Sequence, residues 1–195
     1  QILIEAAIYA ARQLGMTISF DCNYRSMLWS FDEARDIISR YLPYVDVLIG
    51  IEPLHLQDEN GHDLKDGMSM QPDYEEQDRI FQAMADRYHF KAIARHVRYT
   101  HSSSENSLKA YLYYNGQTYE SKLFRFQILD RVGGGDSFAG GLICGLADGK
   151  DMKAALEFAV AASALKHTIP GDFNLVTRAE VETLAGGDGS GRVQR

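Results

Sequence analysis

The chain has 195 residues, of which 45% are hydrophobic and 24% charged, and this composition excludes a disordered or fibrous protein. Its formal net charge of -7 argues against binding to nucleic acid or to an anionic membrane through bulk electrostatics. No apolar run approaches the ~20 residues of a membrane helix, so we expect no membrane partner and a cytoplasmic location. Cys22 and Cys144 are too far apart in sequence to suggest a disulfide framework or a zinc site.

The first hundred residues alternate between helical and strand patterns. Apolar residues at helical spacing predict helices at 2–14, 31–42 and 74–88, and Gly15 and Pro43 are the stop signals of the first two. Short continuous apolar runs predict strands at 16–20, 45–49 and 90–97. Residues 59–72 are polar and rich in turn formers, so we expect a loop there. This alternation predicts an α/β fold with a mainly parallel sheet covered on both faces, a three-layer sandwich.

The pattern changes after residue 106. Asn115-Gly116, between two β-rich stretches, predicts a hairpin, and helices are predicted from Gly135 to Leu146 and from Met152 to Lys166. The glycine-rich end predicts a flexible tail over 186–195. We therefore expect one domain over 1–185. The chain opens on Gln1 within a helical pattern, which indicates a chain cut inside a larger fold.

Three consecutive glycines, Gly133 to Gly135, carry the strongest chemical signal. They permit close backbone approach or positive φ at the start of a helix, where free N–H groups form an anion site. Asp136 follows directly and is placed to accept the proton of an attacking hydroxyl. The same residues also fit an ordinary glycine turn with Asp136 as the helix N-cap, and the pattern alone does not separate the two interpretations.

The segment from Asp130 to Gly141 resembles the carboxy-terminal signature of ribokinase-like (PfkB) carbohydrate kinases, Asp-Thr-x-Gly-Ala-Gly-Asp followed by a helix of small residues. The resemblance implies that Asp136 is the catalytic base and that Gly133 to Gly135 form the anion hole. It also implies ATP and Mg²⁺ as cofactors and a ribokinase-like sandwich. Arg131 and Gly134 depart from the signature, where Thr and Ala are usual.

Two further segments resemble 2-keto-3-deoxygluconate kinases and fructokinases. Asp21-Cys22-Asn23-Tyr24-Arg25 is similar to the Asp-x-Asn-x-Arg strand end of both. Gly171-Asp172 is similar to the Gly-Asp with which the 2-keto-3-deoxygluconate kinases contact their substrate. The resemblance implies that Asn23, Arg25 and Asp172 bind substrate, because a guanidinium pairs well with a carboxylate. The alternative for Arg25 is a local ion pair with Asp21 at the surface. The alternative for Asp172 is an ordinary loop residue without a ligand.

The loop of residues 167–174 lies where the family encloses the adenine. The resemblance therefore implies nucleotide contacts from His167, Gly171 and Asn174, although Asn174 fits a turn equally well. Arg95, His96, Arg98 and His101 are candidate phosphate contacts, with a solvated surface as the alternative.

Two features depart from the family. Relatives carry Asn-x-x-Glu where this chain has Ile51-Glu52-Pro53-Leu54, so the sequence assigns no metal ligands. The preceding portion with the family's Gly-Gly sugar site is also missing, which predicts an exposed sheet edge and an incomplete pocket.

The sequence therefore predicts a carbohydrate kinase that transfers phosphate from ATP to a hydroxyl of a small sugar or keto sugar acid, with 2-keto-3-deoxygluconate as the leading substrate. A fructokinase or other PfkB sugar kinase is the second interpretation. A noncatalytic nucleotide-binding remnant is the third, since the chain lacks part of the family's machinery. The sequence does not decide whether the protein forms a homo-oligomer.

Overall fold

The computed structural model describes residues 2–187. Its elements are α1 (Ile2–Gln13), β1 (Ser19–Asp21), α2 (Phe31–Ser39), a 3₁₀ turn (Leu42–Tyr44), β2 (Val47–Ile49), α3 (Tyr74–Tyr88), β3 (Ala92–Thr100), β4 (Glu105–Tyr114), β5 (Gln117–Glu120), β6 (Phe124–Gln127), α4 (Gly134–Ala147), α5 (Met152–Lys166) and α6 (Arg178–Gly186). The strands form a six-stranded sheet in the order β1-β2-β3-β4-β5, and β6 pairs with β4. The predicted mixed α/β fold class is confirmed.

The sheet is parallel over its first three strands and antiparallel where β6 pairs with β4. Within the described residues, no helix has both the length and the apolar character needed to cross a bilayer. The described residues group into two compact units. The first runs to residue 95 and includes 113–117, and the second comprises 96–112 and the residues from 118 on.

The first unit follows the predicted order of elements, with shifted boundaries. The strand predicted from residue 16 begins only at Ser19, because the chain first closes α1: Gly15 has a φ of 65° and the N–H of Met16 donates to the carbonyl of Ala11. Helix α2 begins at a capping box between Ser30 and Glu33. It ends at Ser39, three residues earlier than predicted, because the chain tightens into the 3₁₀ turn that contains Pro43.

The carboxylate of Asp46 connects three parts of the first unit. Its Oδ2 accepts the N–H of Ile18 at 2.8 Å, just before β1, and its Oδ1 lies 2.9 Å from the ammonium of Lys91, just before β3. The guanidinium of Arg12, near the end of α1, lies 3.7 Å from Oδ1. Because this side chain is only 6% exposed, these contacts stabilise the charge in a desolvated place.

The second unit holds an antiparallel sheet region and three helices. β6 was not predicted, because four residues with no flanking hairpin signal give too short a pattern; it pairs with β4 from Leu108↔Phe124 to Glu105↔Gln127. Helix α5 has the predicted bounds, and most of its residues are buried. Helices α4 and α5 approach closely at two glycines, since a Cβ on Gly141 or Gly145 would lie 3.0 Å from a Cα atom of α5.

The hairpin predicted at Asn115-Gly116 is present. Both residues have positive φ, 48° and 80°, as a two-residue turn between antiparallel strands requires. The last helix, α6, continues to Gly186, where the flexible tail was predicted to begin. The rest of that predicted tail, 188–195, lies outside the described residues, and the single domain over 1–185 stays a prediction.

Candidate functional site

The glycine turn leads directly into α4. Gly133 is the N-cap, with φ 76° and ψ 2°, and α4 begins at Gly134, one residue before the predicted start. The first intrahelical bond joins the N–H of Ser137 to the carbonyl of Gly133 at 2.9 Å. The N–H groups of Gly134, Gly135 and Asp136 precede that bond, so they lack the intrahelical acceptors that later residues have. This end of the helix therefore presents donors and a partial positive charge.

The three positions of the turn differ in how strictly the structure requires glycine. A Cβ on Gly133 would lie 2.5 Å from the carbonyl oxygen of Asp172, and a Cβ on Gly134 would lie 2.4 Å from Cε1 of His167. Both positions therefore need glycine to let the end of α5 and the 167–172 loop that follows it approach. A Cβ on Gly135 would meet no atom within 4 Å. The protein itself does not require glycine there, which suits a position kept open for a ligand.

Asp136 is the third residue of α4, and its side chain is exposed. The N-cap interpretation of Asp136 is wrong, because Gly133 occupies the cap and no side chain caps this helix. Within residues 2–187 the carboxylate of Asp136 makes no side-chain hydrogen bond and no ion pair. This carboxylate lines a cleft, and its catalytic role stays a prediction.

A cleft of about 650 Å³ lies along the first turns of α4 and the 172–178 segment. Asp136, Asp172 and Asn174 all line it, together with Gly133, Gly140 and Phe173. This volume lies within the range of pockets that hold nucleotide-sized ligands. The structure thus brings the predicted base together with one predicted substrate contact and one predicted nucleotide contact.

The two polar atoms of the Asn174 side chain differ in their hydrogen bonding. Its Nδ2 donates to the carbonyl of Ala162 at 3.2 Å, whereas its Oδ1 is buried without a hydrogen-bond partner in the described structure. Asn174 as a residue lines the cleft, and an amide side chain can exchange hydrogen bonds with the edge of a base. The predicted nucleotide contact of Asn174 remains a proposal with this support.

His167 is not among the residues that line the cleft, and its predicted contact with nucleotide stays a prediction. The residue is 1% exposed, its Nδ1 lies 2.7 Å from the carbonyl of Ser163, and its ring packs on Phe126 with 4.8 Å between centroids. Burial lowers the pKa of His167, and the nearby charges of Arg98, Lys166 and Arg131 also lower it. Its ring fills the space that a side chain on Gly134 would need, so His167 supports the glycine turn from behind.

Asp130 joins the glycine turn to the loop that carries Gly171. One oxygen of its carboxylate accepts the N–H of Val132 at 3.0 Å, and the other accepts the N–H of Gly171 at 2.8 Å. These backbone hydrogen bonds lower the pKa of Asp130, with a smaller contribution from the charge of Lys166. Gly171 itself does not line the cleft, and its φ of 82° lets the loop turn toward Asp130.

In the first unit, Asn23 and Arg25 lie directly after β1 and are exposed. The Nε of Arg25 donates to Oδ1 of Asn23 at 3.0 Å, and the N–H of Asn23 donates to Asp21 at 3.0 Å. These contacts hold the segment in a fixed turn and leave the guanidinium facing solvent. Substrate binding by Asn23 and Arg25 stays a prediction.

The region of the missing Asn-x-x-Glu motif contains a buried lysine that was not predicted. Lys65, 3% exposed, donates to Asp63 at 2.7 Å and lies 3.7 Å from Glu52. Burial raises the pKa of Glu52, and the charge of Lys65 acts in the opposite direction. Arg95, a candidate phosphate contact, donates instead to Gln77 at 3.0 Å.

The described residues contain no group of three or more His, Cys, Asp or Glu side chains placed to hold a metal ion. Cys22 and Cys144 are free thiols.

Two residues near the glycine turn were not predicted from the sequence. Arg178 lines the cleft, and Lys166 is fully buried beside Gly133. A lysine at the end of a helical pattern gives no sign of its burial, so only the fold reveals it.

Comparison with known proteins adds independent information. The model of the pfkB family carbohydrate kinases matches residues 1–177. A 2-dehydro-3-deoxygalactonokinase of Haloferax volcanii is 31% identical over 182 residues, which are 93% of this chain and 51% of that protein. The crystal structure of the 2-dehydro-3-deoxygluconokinase of Thermotoga maritima is 38% identical with a TM-score of 0.83, over 95% of this chain and 55% of that one. A PfkB family carbohydrate kinase from Listeria grayi is 27% identical with a TM-score of 0.79, over the same shares. The chain thus spans about half the length of these relatives.

Proposed function

Because the chain belongs to the pfkB family of carbohydrate kinases, we propose that it carries the phosphoryl-transfer site of a kinase acting on a hydroxyl of a small sugar acid. The observation that supports this proposal best is the free carboxylate of Asp136 on the first turn of α4, beside backbone N–H groups without intrahelical acceptors. A base and an anion site within one helical turn are what transfer of a phosphoryl group to an alcohol requires.

In the proposed reaction, Asp136 accepts the proton of the substrate hydroxyl as its oxygen attacks phosphorus. The N–H groups at the start of α4 stabilise the negative charge on the phosphoryl oxygens, and they need no reorganisation because the helix holds them in place. The open space over Gly135 leaves room for the phosphoryl group to approach this backbone.

ATP would supply the phosphoryl group, and the cleft that Asn174 lines has the volume to take its nucleoside. The described residues offer no carboxylate cluster for a metal ion. Mg²⁺ commonly keeps several water ligands and binds substrate phosphates, so we expect it to accompany ATP with few protein ligands.

The proposed substrate is 2-keto-3-deoxygluconate or a close keto sugar acid. The relatives from Haloferax volcanii and Thermotoga maritima are named for 2-dehydro-3-deoxy sugar acids. Asp172, which lines the cleft, would accept hydrogen bonds from the substrate hydroxyls. The family resemblance also predicts substrate binding by Asn23 and Arg25, and a guanidinium is suited to a carboxylate. Fructose, which lacks a carboxylate, should then be a poor substrate.

The test is ADP release in a protein of the relatives' full length that has residues 1–195 as its carboxy-terminal part. The panel comprises 2-keto-3-deoxygluconate, 2-keto-3-deoxygalactonate, fructose and ribose. We expect kcat/KM to be highest for the two acids. Asp136→Asn should lower turnover by roughly 10² to 10⁴-fold, because Asn cannot accept the proton. It should leave ATP affinity and the melting temperature nearly unchanged.

Asp86→Asn is the matched control, since Asp86 is an exposed residue of α3, and it should retain parental turnover. Turnover of Asp136→Asn within a few-fold of the parent would contradict the assigned base. A preference for fructose would contradict the acid substrate while leaving a sugar kinase. Binding of ATP without turnover on any sugar would favour a noncatalytic nucleotide-binding protein.

A further inference from the structure

We propose that Lys166 is a positioning residue whose buried ammonium supports the glycine turn from behind and adds positive charge to the proposed phosphate site. The inference rests on the proposed function, because it concerns how that site holds a phosphoryl group. It assigns a role to a residue that the sequence left as the last position of an ordinary helix.

Burial is the first observation. Lys166 ends α5 and is 0% exposed, although lysine is among the residues least often buried. Its Nζ donates to the carbonyl of Ile169 at 3.1 Å. Among residues 2–187, no carboxylate lies within ion-pair distance of it. Burying an ammonium group with a single carbonyl partner lowers the stability of the fold. A functional role for Lys166 would explain why the lysine is present there.

The second observation is where the side chain lies. A Cβ on Gly133 would be 3.2 Å from Cε of Lys166 and 3.3 Å from Oδ1 of Asp172, so the lysine stem and the loop aspartate both lie against the helix cap. The carbonyl that Nζ binds belongs to the loop that ends at Gly171 and Asp172. The ammonium therefore holds this loop beside the turn where α4 begins.

Asp130 gives the third observation. Its carboxylate binds the N–H groups of Val132 and Gly171, and its pKa is lowered chiefly by backbone hydrogen bonds and partly by the charge of Lys166. The lysine and the aspartate thus act on the same two segments, the glycine turn and the 169–172 loop. Asp130 accepts hydrogen bonds from backbone N–H groups of both segments. Lys166 donates to the carbonyl of Ile169, and its side chain packs against Gly133.

The charge has a second consequence. The N-terminus of α4 already carries a partial positive charge, and a full charge behind its cap acts through protein rather than water. Its effect should increase with the negative charge of the ligand. Lys166 should therefore favour ATP over ADP, since the additional phosphate of ATP is the one placed at the turn. A lysine that merely fills space would not affect this preference.

The test compares the Kd values of ATP and of ADP, measured by calorimetry on the full-length protein of the ADP-release test, in the parent and in Lys166→Met. Methionine keeps the length and apolar stem of lysine but removes the charge. We expect the ATP preference, the ratio of the two Kd values, to fall by about tenfold. The melting temperature should stay equal or rise, because replacing a buried charge by an apolar side chain is often neutral or stabilising.

Lys153→Met is the matched control: Lys153 is on the same helix, half exposed, and paired with Glu157 instead. It should keep the parental ATP preference. Lys166→Ala provides a second variant, in which ethylammonium chloride should restore the preference and choline chloride at equal ionic strength should not, because choline is too large for the vacated space. If Lys166→Met does not fold, this rescue experiment decides in its place.

The outcomes separate the two proposals. If the full-length parent binds neither ATP nor ADP, the proposed function is contradicted, and the role of Lys166 with it. If the parent prefers ATP and Lys166→Met keeps the same ratio at an equal folded fraction, only the role of Lys166 is contradicted. Absence of rescue by ethylammonium in a folded Lys166→Ala would likewise count against it.

Discussion

At the scale of single residues, Gly134 and His167 form a pair that explains a departure from the family signature. Alanine is usual at the position of Gly134, but here its methyl group would lie 2.4 Å from Cε1 of His167. The imidazole is held by its contact with Ser163 and by packing on Phe126, so it cannot move aside without losing both. The ring of His167, at the C-cap of α5, therefore occupies the space that a side chain at position 134 would need.

We therefore predict that Gly134→Ala destabilises the protein by about 1–3 kcal/mol, as overpacking of a filled space does. Gly135→Ala is the matched change one residue on; its methyl group enters open space, so the stability should stay the same or rise by about 0.5–1 kcal/mol. The measurement is urea unfolding followed by circular dichroism. The double variant Gly134→Ala with His167→Ala should recover part of the loss. Additive losses in that cycle would mean that the two residues do not compete for space.

At the scale of elements, the packing of α4 on α5 determines where the glycine turn lies. Both helices are rich in small residues, and Gly141 and Gly145 let α4 approach the backbone of α5 at Ala159 and Ala155. The next element, α6, begins at a capping box between Thr177 and Glu180, directly after the segment that lines the cleft. The position of the proposed anion site thus depends on helix contacts about one and a half to three turns away.

Adjacent glycines of α4 provide the test at this scale. Gly141→Leu should lower the free energy of unfolding by about 1–3 kcal/mol or more, because a Cβ there already lies 3.0 Å from Cα of Ala159. Gly140→Ala should raise it by about 0.5–1 kcal/mol, since its Cβ meets nothing within 4 Å and alanine favours a helix. Thermal unfolding of the two variants beside the parent measures both effects. Equal melting temperatures would show that α4 and α5 are not closely packed at Gly141.

At the scale of the whole molecule, acid stability should depend on Asp46 in the first unit. Burial raises the pKa of this carboxyl, but the N–H of Ile18 and the charge of Lys91 outweigh that effect, so its pKa lies below the ordinary value. A carboxyl with a lowered pKa stabilises the fold at pH values above its unfolded pKa of about 4. That contribution is lost as the pH falls through the lowered folded pKa.

Asp46→Asn should therefore cost about 1–3 kcal/mol at pH 7, and the difference from the parent should shrink as the pH falls below about 4. Trp29, the only tryptophan of the chain, lies in the first unit and reports its unfolding by fluorescence in urea. Asp36→Asn serves as the control, because Asp36 is largely exposed. A difference between Asp46→Asn and the parent that stays constant from pH 7 to pH 3 would contradict the stabilising role of the ionised carboxyl.

The sequence by itself determined the elements whose signals are local. Tyr74–Tyr88 and Met152–Lys166 were predicted with the bounds that the structure has, because helical periodicity lies within each segment. The Asn115-Gly116 turn and the glycine-to-helix turn before Asp136 were also predicted, since few residues other than glycine and asparagine adopt positive φ. The family signature added the role of Asp136, which remains to be tested.

Only the tertiary structure decided what depends on contacts between distant segments. β6 forms because β4 offers it an antiparallel partner, and strand β1 starts late because the N–H of Met16 closes α1. The cap on α4 is Gly133 rather than Asp136, and His167 lies behind the turn rather than in the cleft, since the end of α5 and the 167–172 loop pack there. The burial of Lys166 is likewise a property of the folded chain, because the same sequence at an exposed helix end would leave its ammonium in water.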